Sequence, residues 1–406
     1  MLDIKFIRQN PNLIKENCQK RGVKVDIDKL LKIDQTLREH RKKTEDWQAV
    51  LNHLSKSKPS AEALIEAKDL KGKIKDGEEA IKELEKELQD LLFQLPNLLL
   101  QEVPQGKGEE DNVVLREVGK KPSFNFKPKD YLEIAENLDL IDVKRAAKVS
   151  GTRFGYLKKE AALIEIALIN LAFDVLVKEG FIPVIPPVML RAEMAKGMGY
   201  LEQADKEEAY YLEKDDLYLA GTSEQSIGTM HAEETFQEED LPRRYVAFSS
   251  CFRREAGAYG KDTKGILRVH QFDKVEMFVF SHPLKSKEEH QSLTGLEEKL
   301  MQLLDLPYRV VQLCSRDIGR PSANTRDIET WLPGQGMYRE THSASNCTDY
   351  QARRLNIRYR DSKTKQLEFV HTLNGTAFAI GRILIAIIEN YQQKDGSVRI
   401  PKVLQK

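Results

Sequence analysis

FRREAGAYGKDTKGILRVHQFDKVE, residues 252–276, decides how this chain is read. It is the middle of a longer pattern: RYVAFSSCFRRE at 244–255 and GILRVHQFDKVEMFVF at 265–280 both alternate apolar and polar side chains with a period of two, as half-buried strands do. The loop between them holds Gly257, Gly260 and Gly265, so the pair predicts a long antiparallel hairpin. Residues two apart on a strand share a face. Arg253 therefore joins Glu255, and Arg268, His270, Phe272, Lys274 and Glu276 form a polar stripe opposite Leu267, Val269 and Val275. A solvated sheet face accounts for such a stripe. So does a floor that offers cations to phosphates, an aromatic ring to a base and acids to an ammonium, which would suit a nucleotide and an amino acid.

Working outward, KKEAALIEIALINLAFDVLVK at 158–178 predicts a long apolar helix closed by Gly180 and followed by the strand-like FIPVIPPV. GRILIAIIENYQ at 381–392 predicts a final amphipathic helix. Strands and helices mixed in this way, around an antiparallel pair, give an α+β fold class. The 406 residues are enough for two or three domains at about 100 to 200 residues each. Charged residues make up 32%, with 64 Lys plus Arg against 64 Asp plus Glu, so no global field draws a nucleic acid and any such contact has to come from a local patch.

The N-terminal third supplies one. Leu30, Leu37, Thr44 and Leu51 fall on one heptad position and Ile33, His40, Trp47 and Leu54 on another, a coiled-coil seam with polar interruptions. After SKSKPS at 55–60, where Pro59 breaks the first helix and Ser60 can cap the second, the seam resumes at Ala67, Leu70, Ile74, Gly77, Ile81, Leu84, Leu88, Leu91 and Leu95. Two such helices joined by a short turn must run antiparallel, and a second helix of about 36 residues reaches about 50 Å at 1.5 Å per residue. Residues 38–75 carry ten Lys or Arg against six Asp or Glu, net +4, while 28–37 with 76–95 carry four against nine, net −5. Such charge runs are ordinarily solvated faces; a clamp on a phosphate backbone is the functional alternative. The Pro-, Gly- and charge-rich stretch from Gln101 to Lys129 reads as a linker. The expected organisation is an arm over 1–100, a linker over 101–115 and a catalytic domain over 116–406.

Several chemistries drop out. No G-x-x-x-x-G-K-[ST] loop and no G-x-G-x-x-G after a strand is present, so phosphate has to be held by arginine. HAEE at 231–234 begins a zinc-deaminase pattern, but no P-C-x-x-C follows; His231 reads as a surface or packing residue. Cys18, Cys251, Cys314 and Cys347 are too far apart to frame a zinc site and read as reduced, buried thiols. No uncharged apolar run reaches about 18 residues and no secretory leader is recognisable, so the sequence predicts a cytosolic protein without a membrane span.

SGTRFGYL at 150–157, YLAGTSEQ at 218–225, the 252–276 stretch, YRETHSASNCTDYQARRLNIRYR at 338–360 and HTLNGTAFAIGR at 371–382, in this order behind a helical hairpin, resemble bacterial-type seryl-tRNA synthetases, a class II aminoacyl-tRNA synthetase family. The resemblance runs nearly the whole chain. It implies an antiparallel sheet flanked by helices, a coiled-coil arm for serine tRNA and a homodimer formed largely through the helix and strand before Pro187. For ATP it implies Arg253 on the α-phosphate, flanked by Arg254, Glu255 against adenine, and Val269, His270, Gln271 and Phe272 along the nucleotide, with Phe272 stacked on the ring. Arg382 would face the γ-phosphate. Glu340, Thr341, His342 and Ser343 complete the ATP site, Glu340 and Ser343 holding Mg²⁺. For serine it implies Thr222, Ser223, Glu224, Arg253, Glu276 and Thr376. Arg253, Arg382 and Glu340 would carry catalysis, by fixed charge without a protein nucleophile. The turn at 55–60 is shorter than the Gly- and Lys-rich turn common in the family. Two other readings stay open: a paralogue charging a carrier protein, and a non-catalytic RNA-binding module.

Overall fold

A computed structural model describes residues 1–56, 60–200, 208–256, 262 and 264–405; Pro59, Gly257 and Gly260 lie outside the described residues. The chain forms two compact units, Met1–Pro96 and Asn97–Lys406.

The first unit opens with two short helices, α1 (Ile4–Gln9) and α2 (Pro11–Lys20), followed by the long α3 (Ile27–Leu54) and α4 (Ala61–Gln94). Asp26 caps α3 by accepting from the Lys29 amide at 2.9 Å, and Ser60 caps α4 through the Ala63 amide at 3.2 Å. The seam buries Leu30, Ile33 and Leu37 of α3 and Leu70, Ile74, Gly77, Leu88 and Leu92 of α4, with Gly77 opposite Thr44 and Trp47, and Arg41–Glu85 and Lys29–Glu87 ion pairs bridge the hairpin at 2.6 and 2.8 Å. Toward the turn it thins: Val50, Leu64 and Ile65 are exposed. At 34 residues α4 is about 51 Å long. Buried Asp34, which the heptads do not explain, accepts a fork of hydrogen bonds from Arg8 of α1 at 2.7 and 2.8 Å, fastening the short helices to the hairpin.

The second unit is built on an eight-stranded sheet. Its strands are β1 (Val113–Val118), β2 (Ile182–Val184), β3 (Arg243–Phe252), β4 (Gln271–Ser281), β5 (Tyr308–Gln312), β6 (Asn324–Leu332), β7 (Met337–Asn346) and β8 (His371–Ala379), in the order β1-β5-β6-β7-β8-β4-β3-β2. All pairs are antiparallel except β2 with β3. Residues 101–115 form no free linker: Ser315 donates its amide to the Pro104 carbonyl at 2.9 Å, Cys314 donates to Asn112, and Val113 already pairs with Gln312. Backbone pairing outweighs the composition that suggested a tether.

One face of the sheet, with Val275, Met277, Val279, Ile328, Ala344, Leu373 and Ala377, packs under α5 (Glu160–Lys178), α7 (Ser286–Leu303) and α8 (Ile380–Asn390). Gly180 closes α5 at φ +86°. The last helix has the one-sided pattern its sequence suggested but is buried on all sides from Ile383 through Glu389, because it runs through the core instead of over it. On the other face, Phe278 and Phe280 lie under α6 (Ser223–Thr229) and its surrounding apolar residues, and His231 is buried there, bonded to Glu234 and Tyr245 at 2.7 Å each. Farther along that face Val311 of β5 is covered by Leu99, Val103, Leu313 and Ile318; between the two clusters the face lines a cavity, and there the site lies. All four cysteines are buried and stand outside any disulfide. Among the described residues no helix is long and apolar enough to cross a membrane.

Candidate active site

The uncovered part of the sheet floors a cavity of 670 Å³. β4 contributes Phe272, Lys274 and Glu276 at alternate positions, β8 contributes Asn374 and Thr376, and β7 contributes Glu340, Ser343 and Ser345. Alternation alone cannot put Glu340 and Ser343 on one face, since they are three apart. An irregularity in the β6–β7 register does: His342 pairs with Ile328 but Glu340 with Glu329, leaving Thr341 as an extra residue, and a bulge of one residue reverses the facing of everything before it. A matching irregularity in the β4–β8 register pairs Glu276 with Thr376 and Lys274 with Ala379, turning Thr376 and Ala379 onto the cavity together.

Two arginines stand at one end. Arg253 lies beyond the last rung of β3, its Nε donating to the Gly221 carbonyl at 3.1 Å and its guanidinium 5.2 Å from the Phe272 ring centre. Arg382, at the start of α8, donates to the Glu340 carbonyl at 3.0 Å and pairs with its carboxylate at 3.1 Å. Burial would raise the Glu340 pKa, but the Arg382 charge and hydrogen bond, helped by Arg253 and Lys274, outweigh it and hold the carboxyl below its usual range.

The other end is acidic and dry. Glu224 on α6 accepts from Tyr200 at 2.9 Å and from Gln351 at 3.1 Å, and Thr222 caps α6 through the Glu224 amide at 3.3 Å. Glu276 is nearly inaccessible, and burial, with the neighbouring Glu224 charge, raises its pKa to about 7 in spite of Lys274. The Lys274 ammonium contacts Glu276 and donates to Thr222 Oγ1 at 3.3 Å. A cavity with guanidinium groups and an aromatic ring at one end, and hydroxyls and buried carboxyls at the other, has the chemistry for a phosphorylated base beside a small amine.

Comparison with known proteins decides the family. Residues 209–391 match the tRNA synthetase class II core domain (G, H, P, S and T) and residues 1–99 the seryl-tRNA synthetase N-terminal domain. The serine–tRNA ligase of Dictyoglomus turgidum is 47% identical, with all of this chain and 97% of the relative covered; that of Thermobifida fusca is 45% identical with the same coverage. The chain belongs to the seryl-tRNA synthetases. The solved Pyrococcus horikoshii seryl-tRNA synthetase, complexed with ATP, superposes with a TM-score of 0.93 at 42% identity over all of this chain and 97% of that one.

Against that family, the structure sorts the residues expected from sequence. Arg253, Glu255, Val269, Phe272, Glu340, Thr341, Ser343 and Arg382 line the cavity, as do Thr222, Glu224, Glu276 and Thr376. Arg254, His270, Gln271, His342 and Ser223 do not. The hairpin ladder ends at Phe252 paired with Gln271, so residues 253–255 and 265–270 are loop, and strand alternation fails there. Val269 and Arg268 both face the cavity, whereas His270 turns back to Arg253 O at 3.0 Å and packs on Phe154. Arg254 stacks on Tyr210, with 5.5 Å from its guanidinium carbon to the ring centre. His342 is buried beside Phe378, and burial lowers its pKa to about 3, so it is a neutral packing residue. Gly265, at φ +73°, ends the loop where any Cβ would strike the Tyr131 hydroxyl, which accepts the Ile266 amide at 2.9 Å. Of the two residues that hold Glu224, Gln351 has its place in the 338–360 motif and Tyr200 lies in none of the quoted motifs; neither carries another sequence signal.

Glu297 of α7 is a further residue that sequence reasoning passed over. It is fully buried behind β8, where a Cβ on Gly375 would come 3.3 Å from its Oε1, and neither oxygen makes a well-formed hydrogen bond. Burial, with the Asp327 and Glu276 charges, raises its pKa well above the ordinary value. Its carboxyl is therefore protonated in the fold over a range where the unfolded chain, with a pKa of about 4.3, is ionised. The unfolded state then binds fewer protons, so stability falls as pH rises through that range, by up to about 1.4 kcal/mol per pH unit. Glu297→Gln removes the ionisation, and the melting temperature of the variant relative to the parent should climb between pH 5 and pH 8. A constant difference would show that Glu297 does not titrate between the two states.

Proposed function

We infer that this synthetase activates L-serine with ATP to seryl-adenylate and pyrophosphate, then transfers the seryl group to the 3′ end of serine tRNA and, where the organism has one, selenocysteine tRNA, in the cytoplasm. The observation that carries this reading is the convergence on one 670 Å³ cavity of Arg253 over Phe272, Arg382 with Glu340, and the group Thr222, Glu224, Glu276 and Thr376. Adenine stacks on Phe272 with Glu255 at its edge, beside Val269. Arg253 holds the α-phosphate and Arg382 the γ-phosphate, so the triphosphate is bent between them. The serine ammonium meets Thr222 and Glu224, and its hydroxyl meets Glu276 and Thr376. Loop residues Arg254, His270 and Gln271, together with buried His342 and Ser223, support these groups from outside the cavity.

The donor set also fits magnesium. Glu340 and Ser343 present a carboxylate and a hydroxyl on one face, and Asp327, paired across the ladder with Ser343, has a buried Oδ1 without a hydrogen-bond partner. Mg²⁺ typically takes one or two carboxylates and completes its shell with waters and substrate phosphates. Glu340 and Ser343 would hold it, and the ion would neutralise charge on the triphosphate. No side chain has to act as nucleophile, because the serine carboxylate attacks the α-phosphorus and the growing charge meets groups already in place. A screen of twenty amino acids for ATP–pyrophosphate exchange tests the reading: serine alone should support exchange, and an enzyme preferring another amino acid would refute it.

Two partners follow. The basic distal half of the arm is suited to the tRNA backbone. Each phosphate contact contributes to the slope of log affinity against log salt, so deleting residues 38–75 should weaken serine tRNA binding and flatten that slope, leaving serine-dependent exchange in place. An unchanged slope in filter-binding titrations removes the arm from tRNA recognition. On the second unit, Leu163, Ile166 and Ile185 are 66, 56 and 73% exposed along α5 and the segment after it, an apolar strip that a second copy of the chain would cover. Sedimentation should give a dimer, and Leu163→Glu with Ile166→Glu a monomer.

A further inference from the structure

We propose that Lys274 is a catalytic residue of the adenylation step: its ammonium hands Glu276 and Thr222 over to the incoming amino acid and turns to hold that substrate's carboxylate against the α-phosphate. The proposal rests on the serine-activating reading above. Its foundation is the register of β4. Phe272, Lys274 and Glu276 are consecutive residues on the cavity face, so they stand at steps of about 6.7 Å along the strand. With the base on Phe272 and the hydroxyl at Glu276, the carboxylate and the phosphorus it attacks lie over the residue between them. That residue is a lysine whose side chain is only 11% exposed.

The contacts of Lys274 give the second argument. In the free site its ammonium is held by Glu276 and by Thr222 Oγ1 at 3.3 Å, and its charge also acts on Glu224 and Glu340. Thr222 and Glu224 are the acceptors the substrate ammonium needs and Glu276 the one its hydroxyl needs, and in the free site Lys274 occupies Thr222 and Glu276. When the amino acid enters, its ammonium replaces that of Lys274 at Thr222 and its hydroxyl takes Glu276, and the lysine is released beside the new anion at that end of the cavity, the substrate carboxylate. A desolvated carboxylate is costly without a cation. Arg382 is bonded to Glu340; the Arg253 charge does reach Glu224 and Glu276, but its Nε is fixed to the Gly221 carbonyl with the guanidinium over Phe272, so Lys274 is the cation that substrate entry frees to move. The step balances without a proton: the carboxylate oxygen forms a bond to the α-phosphorus, the bond from that phosphorus to the bridging oxygen breaks, and its electron pair leaves with pyrophosphate. Lys274 remains an ammonium throughout and stabilises the carboxylate as it is brought to attack.

The test compares Lys274→Met with Lys274→Arg in the full-length enzyme. Two readouts are used: serine-dependent ATP–pyrophosphate exchange, and competitive inhibition by serinol, which has the ammonium and a hydroxymethyl group but no carboxylate. We expect Lys274→Met to lose about 10²- to 10³-fold in kcat/KM for serine while binding serinol as tightly as the parent or more so. Lys274→Arg should recover part of the loss. A fall in serinol affinity equal to the fall for serine would make Lys274 a prop for Glu276 and overturn the proposal, as would near-parental exchange by Lys274→Met. If the methionine variant does not fold, Lys274→Arg decides: a loss shared equally by serine and serinol overturns the proposal, and a loss confined to serine upholds it. Exchange by the parent enzyme separates the two levels of inference. A parent that does not use serine refutes the function, and a serine-using parent matched by Lys274→Met refutes only this role.

Discussion

Arg253→Ala should lower serine-dependent ATP–pyrophosphate exchange by about 10²- to 10³-fold, the usual effect of removing one fixed donor from a developing oxyanion. The geometry makes this arginine hard to replace. Its backbone amide donates to His270 O at 2.9 Å, its Nε to the Gly221 carbonyl at 3.1 Å, and the guanidinium plane lies over Phe272. The remaining guanidinium nitrogens are thereby aimed before any nucleotide arrives, and no reorganisation is needed as charge builds on the phosphate. Arg253→Lys should recover little, because an ammonium supplies neither the planar fork nor the stacking surface. Arg382 cannot substitute, being engaged with Glu340. The loss should appear in kcat more than in the serine KM, since Arg253 acts on charge that grows in the transition state. Near-normal exchange by the alanine variant would refute the assignment of the α-phosphate to this residue.

What could be read from sequence followed the regularity of the backbone. The β3–β4 hairpin, the coiled-coil seam with Leu30, Ile33 and Leu37 on one helix and Leu70, Ile74 and Leu88 on the other, and the helix closed by Gly180 are regular repeats of two or about three and a half, and the structure has them. Reading by period fails where one residue is added or the ladder stops. Glu340 and Ser343 share a face only because Thr341 is bulged, and nothing in YRETHS marks the bulge. Strand alternation extended past Phe252 and Gln271 put His270 on the floor with Phe272, whereas the loop turns it away and admits Val269. Long-range electrostatics left no local trace either. Asp34 and Glu297 look like ordinary charged helix residues, and only the packing of Arg8 on one and of the Gly375 strand on the other shows both to be buried. Motif resemblance pointed to the cavity residues more securely than periodicity did, because it was indifferent to which backbone irregularity brought them together.

On the proposed function Glu276 bears the choice of amino acid, and its replacement should have the other large effect. A site built to hydrogen-bond a hydroxyl leaves buried polar groups unpaired when the hydroxyl is missing, and discrimination of about 10⁴-fold or more follows. Serine should therefore be favoured over alanine by at least about that factor in kcat/KM, and Glu276→Ala should bring the ratio down toward the 10-fold or so that a cavity of fitting size retains. Protonation adds an independent readout. Burial, with the Glu224 charge, raises the Glu276 pKa to about 7 in the free site, and only the ionised carboxylate accepts hydrogen bonds at both oxygens. Since kcat/KM reports the free enzyme, the rate with serine at low concentration should rise with pH through about 7 and level off above it. Glu276→Gln should lose that limb while keeping the fold, as an amide remains beside Lys274 and Thr376. A rising limb through pH 7 unchanged in the glutamine variant would assign the titration to another group, and a parent enzyme accepting alanine nearly as well as serine would show that the hydroxyl is recognised elsewhere.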